Sequence, residues 1–197
     1  MSQVVKPQVI DGRRARSERS KQAIIEASLA LMDEGRLIPT AQQIADKAGV
    51  AIRSFFRHFE DMETLFATID EQIRDAMEVL FFGGDGHGTL EERILQAVER
   101  YGVGYEKHRN LILSTSAQLW RSETLRSNYA RYQRGLRKDV TTWLPELKRL
   151  SGPEQEAVCA IASFEMWHRL RYHQGLSQEK TIGVLAGLLQ SLLKSDT

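Results

Sequence analysis

The sequence holds one cysteine, four prolines and no long apolar run, and each scarcity removes a class of protein. Cys159 alone makes neither an intramolecular disulfide nor a cysteine-based zinc cluster, and it reads as a small, buried apolar side chain on a helix. The strongly apolar segment from Ile182 to Leu193 is too short to span a bilayer, and the opening MSQVVKPQVI lacks the apolar stretch of a secretory signal. These absences predict a cytoplasmic protein with no membrane association. Catalytic signatures are missing too: there is no Gly-x-Ser-x-Gly, no His-Glu-x-x-His and no Walker loop. Glu165-Met166-Trp167-His168 is a single Glu-x-x-His where a di-iron bundle needs two, and His168 and His173, five apart, do not share a helical face. The expectation is no metal, no cofactor and no enzymatic activity.

What is present is an ordinary soluble composition with an uneven charge. Apolar residues make up 42% and charged residues 27% of 197, enough for a small domain plus a medium one or for a single larger helical body. The net charge of +1 hides an asymmetry. Residues 1–60 hold ten Lys and Arg against seven Asp and Glu, whereas the remainder holds 17 against 19. Arg13, Arg14, Arg16, Arg19 and Lys21 crowd into nine residues with only Glu18 against them, which suits a basic arm approaching DNA.

The positive end also carries the most informative stretch, TAQQIADKAGVAIRSFFRHF from Thr40 to Phe59. Thr40 is a good N-cap, Ile44, Ala45 and Ala48 form an apolar strip, and Gly49 sits where a first helix must end. A second helix over 52–58 follows at once, with Phe55 and Phe59 on one face and Arg53, Ser54, Arg57 and His58 on the other. Short helix, glycine turn and short basic helix spell a helix-turn-helix, whose second helix enters the DNA major groove.

Residues 20–66 resemble the N-terminal domain of the TetR family of bacterial transcriptional regulators. The likeness rests on Ala23, Ile24, Ala27, Leu31, Met32 and Gly35, on Thr40, Ile44 and Ala45, and on Ala48-Gly49-Val50. It continues through Phe55-Phe56-Arg57-His58-Phe59 to Asp61, Glu63, Leu65 and Phe66. Three positions depart from the family pattern. Ala51 stands where a Ser or Thr usually caps the recognition helix, a loss of about 1 kcal/mol. Phe56 replaces a Tyr, and Met62 a Lys, that commonly reach phosphates.

The remaining chain reads as helices. Residues 1–16 form an irregular, flexible basic arm, helix 1 covers 17–34 with Gly35 as its stop, and 17–60 make the DNA-binding domain. Residues 61–197 form the second domain. In it a helix capped by Asp61 runs to Phe82, and Gly83 to Gly88 form a linker. Thr89 and Glu92 make a capping box for a helix through Tyr105, and a short helix lies around 111–114. Ser122 caps a helix to Trp143, the Ser151-Gly152-Pro153-Glu154 signal starts one to Gln174 and Gly175, and Ser177 opens the last. The fold expected is all-α: a three-helix DNA-binding domain joined by a long helix to a larger helical domain for ligand binding and dimerisation.

The resemblance implies a function and a set of residues. It implies a ligand-responsive repressor that binds palindromic double-stranded operator DNA as a homodimer. On the DNA side the candidates are Arg13, Arg14, Arg16, Thr40, Ala51, Arg53, Ser54, Phe56, Arg57 and His58, with Arg53 and Ser54 near base edges and Arg57 and His58 on phosphates. An effector pocket for a small aromatic or amphipathic organic molecule draws on Met77, Tyr101, Tyr105, Trp120, Arg121, Trp143, Phe164, Trp167 and His168. Ile161, Gly183, Leu185, Gly187, Leu189 and Leu192 are the candidate dimer surface. The competing reading is a helical partner-binding protein whose helix-turn-helix no longer reads DNA, the three departures being its cause.

Overall fold

The computed structural model describes residues 12–81 and 86–194, and among these every regular element is helical. The elements are α1 (Gly12–Asp33), α2 (Ala41–Lys47), α3 (Ile52–His58), α4 (Met62–Phe81), α5 (Leu90–Gln118), α6 (Glu123–Trp143), a 3-10 turn (Pro145–Arg149), α7 (Gly152–Ile161), α8 (Phe164–His168) continued by a π-helical turn (Arg169–His173), and α9 (Gln178–Leu193). The arm expected over 1–11, the Gly83 to Asp85 part of the linker and the Phe82 end of the fourth helix lie outside the described residues.

Three boundaries differ from those the sequence suggests. α1 begins at Gly12, so Arg13, Arg14 and Arg16 stand on a helix rather than on an irregular arm. Arginine is a good helix former, and neither Gly nor Pro interrupts the chain from Arg13 to Glu34. Likewise, the separate short helix around 111–114 is part of α5, which leaves helical geometry only at His108 (φ −108°, ψ 16°). The helix expected from Gly152 to Gln174 is instead broken at Ala162 and Ser163. Ser163 starts α8 by accepting from the Met166 N–H at 3.4 Å, the local side-chain competition that makes serine a helix starter.

The chain forms two compact units, and their limits do not follow the 60/61 division drawn on the sequence. One unit extends to Ile69 and takes in Asn110–Leu125; the other comprises Asp70–Arg109 and Arg126 onward. The first two turns of α4 belong to the first unit because Leu65, Phe66 and Ile69 bury their side chains. Phe66 joins Met32 and Leu125 in one core cluster, with Leu111 and Leu119 packed against it.

In the second unit, polar networks tie the helices at fixed points. Asp70 accepts from Arg131 at 2.6 Å and from Arg74 at 2.9 Å. Arg93 spans α5 and the 3-10 turn, donating to Glu146 at 2.5 Å and to the Trp143 carbonyl at 2.7 Å. Glu106 accepts from Trp167 Nε1 at 3.0 Å, Arg171 Nε at 2.7 Å and the Tyr172 hydroxyl at 2.5 Å. Burial opposes ionisation of Glu106, but these three donors outweigh it and hold the carboxyl below its ordinary range. Cys159 is half-buried rather than buried, and burial pushes its thiol up.

α5 and α8 pack closely at one glycine. Gly102 lies under the Trp167 indole so closely that a Cβ there would stand 2.3 Å from the ring. Gly102→Ala therefore forces Trp167, 1% exposed, out of its site. The expected cost is about 1–3 kcal/mol, read as a lower denaturant midpoint; a midpoint equal to wild type would refute this account of the packing.

Candidate nucleic-acid interface

The interface is built from two seven-residue helices and the turn between them. Thr40 starts α2 with a reciprocal capping box: its hydroxyl accepts from the Gln43 N–H at 3.2 Å, and the Gln43 side chain accepts from the Thr40 N–H at 3.0 Å. Ile44 and Ala45 are fully buried. The turn depends on Gly49 at φ +66°, a conformation costly for other residues, after which the Val50 N–H returns to the Ala45 carbonyl at 3.0 Å.

α3 is anchored by aromatic burial and open on its other side. Phe55 and Phe59 are 0% exposed with ring centroids 5.8 Å apart, while Arg53, Phe56 and Arg57 are exposed and Ser54 and His58 half-buried. His58 Nε2 is buried with no hydrogen-bond partner among the described residues. Burial, then the Arg57 charge, hold its imidazole below the ordinary range, with Glu18 opposing and Lys21 adding. Ala51 occupies the N-cap position in extended geometry (φ −66°, ψ 145°) and supplies no side-chain hydrogen bond.

A family model of bacterial regulatory proteins, TetR family, matches residues 24–69. The chain carries a TetR-family domain. Solved structures extend the likeness of fold over most of the chain. The multidrug binding protein EbrR, complexed with imidazole, is 20% identical with a TM-score of 0.62, over 94% of this chain and 97% of that one. A TetR-family transcriptional regulator from Streptomyces coelicolor is 20% identical with a TM-score of 0.61, over 87% and 81%. No curated protein matches the sequence.

The residues considered for an effector pocket do not all meet. Tyr101, Tyr105, Phe164, Trp167 and His168 form one aromatic cluster in the second unit, with Tyr105 5.6 Å from Phe164 and 6.4 Å from Trp167, and Phe164 stacked on His168 at 5.3 Å. The tyrosine hydroxyls are engaged inside the unit, Tyr101 with Asp139 at 2.5 Å and Tyr105 with the Ala162 carbonyl at 2.7 Å. Met77 and Trp143 are buried in the same unit. Trp120 and Arg121 are not in it: they lie in the turn after α5, in the first unit, where Leu119 takes the inward position and Trp120 is left 79% exposed. Arg121 donates to Gln118 at 2.5 Å.

The candidate dimer residues also divide. Ile161, Leu185 and Leu189 point into their own core, since α7 and α9 pack together, and Leu192 is half-buried. The exposed face of α9 is Gly183, Val184, Gly187 and Leu188, the two aliphatic residues each 40% exposed. Val184 and Leu188 are not among the dimer candidates taken from the sequence. Their positions, each one after a glycine, were the available signal.

The uncapped start of α3 yields a direct expectation. Ala51→Ser adds an acceptor to a backbone already in cap geometry, so stability rises by about 0.5–1 kcal/mol in thermal or denaturant unfolding. No gain would mean that the first turn of α3 is held by other contacts.

Proposed function

We propose that this TetR-family chain is a cytoplasmic, non-enzymatic transcriptional repressor that binds a palindromic operator as a homodimer and is released by a small organic effector. The observation that carries the reading is α3: a helix fixed by two fully buried phenylalanines that leaves Arg53, Phe56 and Arg57 exposed on a net-positive end of the chain. Arg53 and Ser54, at its N-terminal end, address base edges. Arg57, His58 and the α1 residues Arg13, Arg14 and Arg16 address phosphates, and Thr40, Ala51 and Phe56 complete the contact surface.

Dimerisation is supported by α9. Glycine costs about 1 kcal/mol in a helix interior relative to alanine, yet a Cβ at Gly183 or Gly187 would meet nothing within 4 Å among the described residues. A second copy approaching closely on the Gly183, Val184, Gly187 and Leu188 face would compensate that cost. The effector reading is supported by the aromatic cluster, by the buried Trp143 indole N–H with no partner among the described residues, and by the multidrug-binding description of the EbrR structure. Release requires that the effector bind the DNA-incompetent state more tightly, by about 1–3 kcal/mol.

The test is selection of bound duplexes from a random pool by the purified protein at two salt concentrations. A palindrome with half-sites about one helical turn apart is the expected product. Recovery of no motif from folded, effector-free protein would favour the partner-binding reading, for which the uncapped Ala51 is the supporting observation.

With that duplex, Arg53→Ala is expected to lose about 1–3 kcal/mol and relax sequence preference, whereas Arg57→Ala weakens all duplexes alike and reduces the salt slope. Equal losses on selected and random DNA for both variants would refute this division. Gly187→Leu should leave the fold intact and gain about 1 kcal/mol of helix propensity while shifting the protein to monomer in sedimentation. A dimer as tight as wild type would remove α9 from the interface.

A further inference from the structure

The helix-turn-helix is not held by α1 and α4 alone. Asn110, Ser114 and Gln118 recur at i, i+4 and i+8 on α5 and donate to carbonyls of the segment that leads out of α1 into α2. Asn110 Nδ2 reaches the carbonyl of Asp33, the last residue of α1, at 2.8 Å. Ser114 Oγ reaches the Leu37 carbonyl at 2.6 Å, and Gln118 Nε2 reaches the same oxygen at 3.3 Å. Gln118 also donates to the Ser114 carbonyl at 3.1 Å and is oriented from its other end by Arg121 at 2.5 Å. Ser114 and Gln118 are 1% and 0% exposed and Leu37 is half-buried, so two shielded side-chain donors converge on one carbonyl, and removing either leaves buried hydrogen-bonding capacity unmet.

Leu37 lies three residues before Thr40, the cap of α2, and α2 is tied to α3 through the Gly49 turn. We infer that Asn110, Ser114 and Gln118 are positioning residues for DNA reading: by fixing the 34–39 connector they set where α2 begins and therefore how α3 is presented. Asp33 ends α1 with a carbonyl that has no intrahelical partner, and Leu37 lies in the connector beyond it; α5 supplies donors to both from 77 to 81 residues away in the chain. The consequence is unequal for the two kinds of DNA contact. Base-edge hydrogen bonds demand a placed helix, whereas attraction of basic side chains to phosphates tolerates a displaced one. Loss of the clamp lowers specificity ahead of non-specific affinity. This consequence rests on the DNA-reading assignment; the clamp itself does not.

The experiment uses the full-length chain with Ser114→Ala, Gln118→Met and Asn110→Ala, the last at a partly exposed position that leaves the core untouched. Amide hydrogen exchange, without DNA, is expected to accelerate over residues 34–51 while 126–143 exchange as in wild type. On the selected duplex the variants are expected to lose about tenfold in affinity, comparable to one mismatched base pair, with random-duplex affinity unchanged. A merely structural role would lower both affinities together. That parity, or wild-type exchange over 34–51 in all three variants, overturns the inference. Should Ser114→Ala or Gln118→Met fail to fold, Asn110→Ala decides alone by the same two readouts. If the wild-type protein prefers no duplex, the proposed function falls and the exchange arm still judges the clamp.

Discussion

Two helices of seven residues cannot hold themselves in water, because the cost of nucleating a helix is not recovered over so few hydrogen bonds. Whatever the N-terminal unit does depends on burying one face of each. Phe55 and Phe59 are shielded completely, each stabilising α3 by about 1.5–3 kcal/mol, and Ile44 and Ala45 do the same on a smaller scale for α2. The same burial decides which side chains remain outside. With the phenylalanines turned in, helical geometry leaves Arg53, Phe56 and Arg57 no place but the surface.

That arrangement separates anchoring from reading. Aromatic packing positions α3 without using its polar groups, while the capping box at Thr40 and the left-handed Gly49 set the angle at which the chain enters and leaves the turn. The donors from α5 extend the same logic to the connector before α2, where side chains of α5 donate to the Leu37 carbonyl. The N-terminal unit is therefore assembled from two stretches of chain. α5 serves both units, its backbone leaving helical geometry at His108, beside the point where its residues pass from one to the other.

In the second unit, the residues that drew attention as pocket candidates are drawn together by aromatic packing, and their hydroxyls are bonded internally. Trp167 rests on Gly102 and is hydrogen-bonded to Glu106, so the aromatic cluster is held by both shape and charge. Trp120 shows the limit of reading aromatics as a set. It belongs to the other unit and lies in solvent, because the neighbouring Leu119 fills the apolar site.

Local chemistry in the sequence determined the helix-turn-helix from end to end. Thr40 as cap, Gly49 as turn, Ala51 as an uncapped start and the Phe55 and Phe59 spacing are each decided by residues within about one helical turn. The capped starts at Thr89, Ser122 and Ser177 were legible for the same reason. Tertiary structure decided what depends on partners distant in sequence. It placed 110–125 with the N-terminal unit, turned Leu185 and Leu189 inward while Val184 and Leu188 stayed exposed, and divided the aromatic set between two units. Periodicity identifies an apolar face but not which neighbour covers it, and a side-chain donor gives no sign along the chain of the carbonyl it will meet 77 residues away.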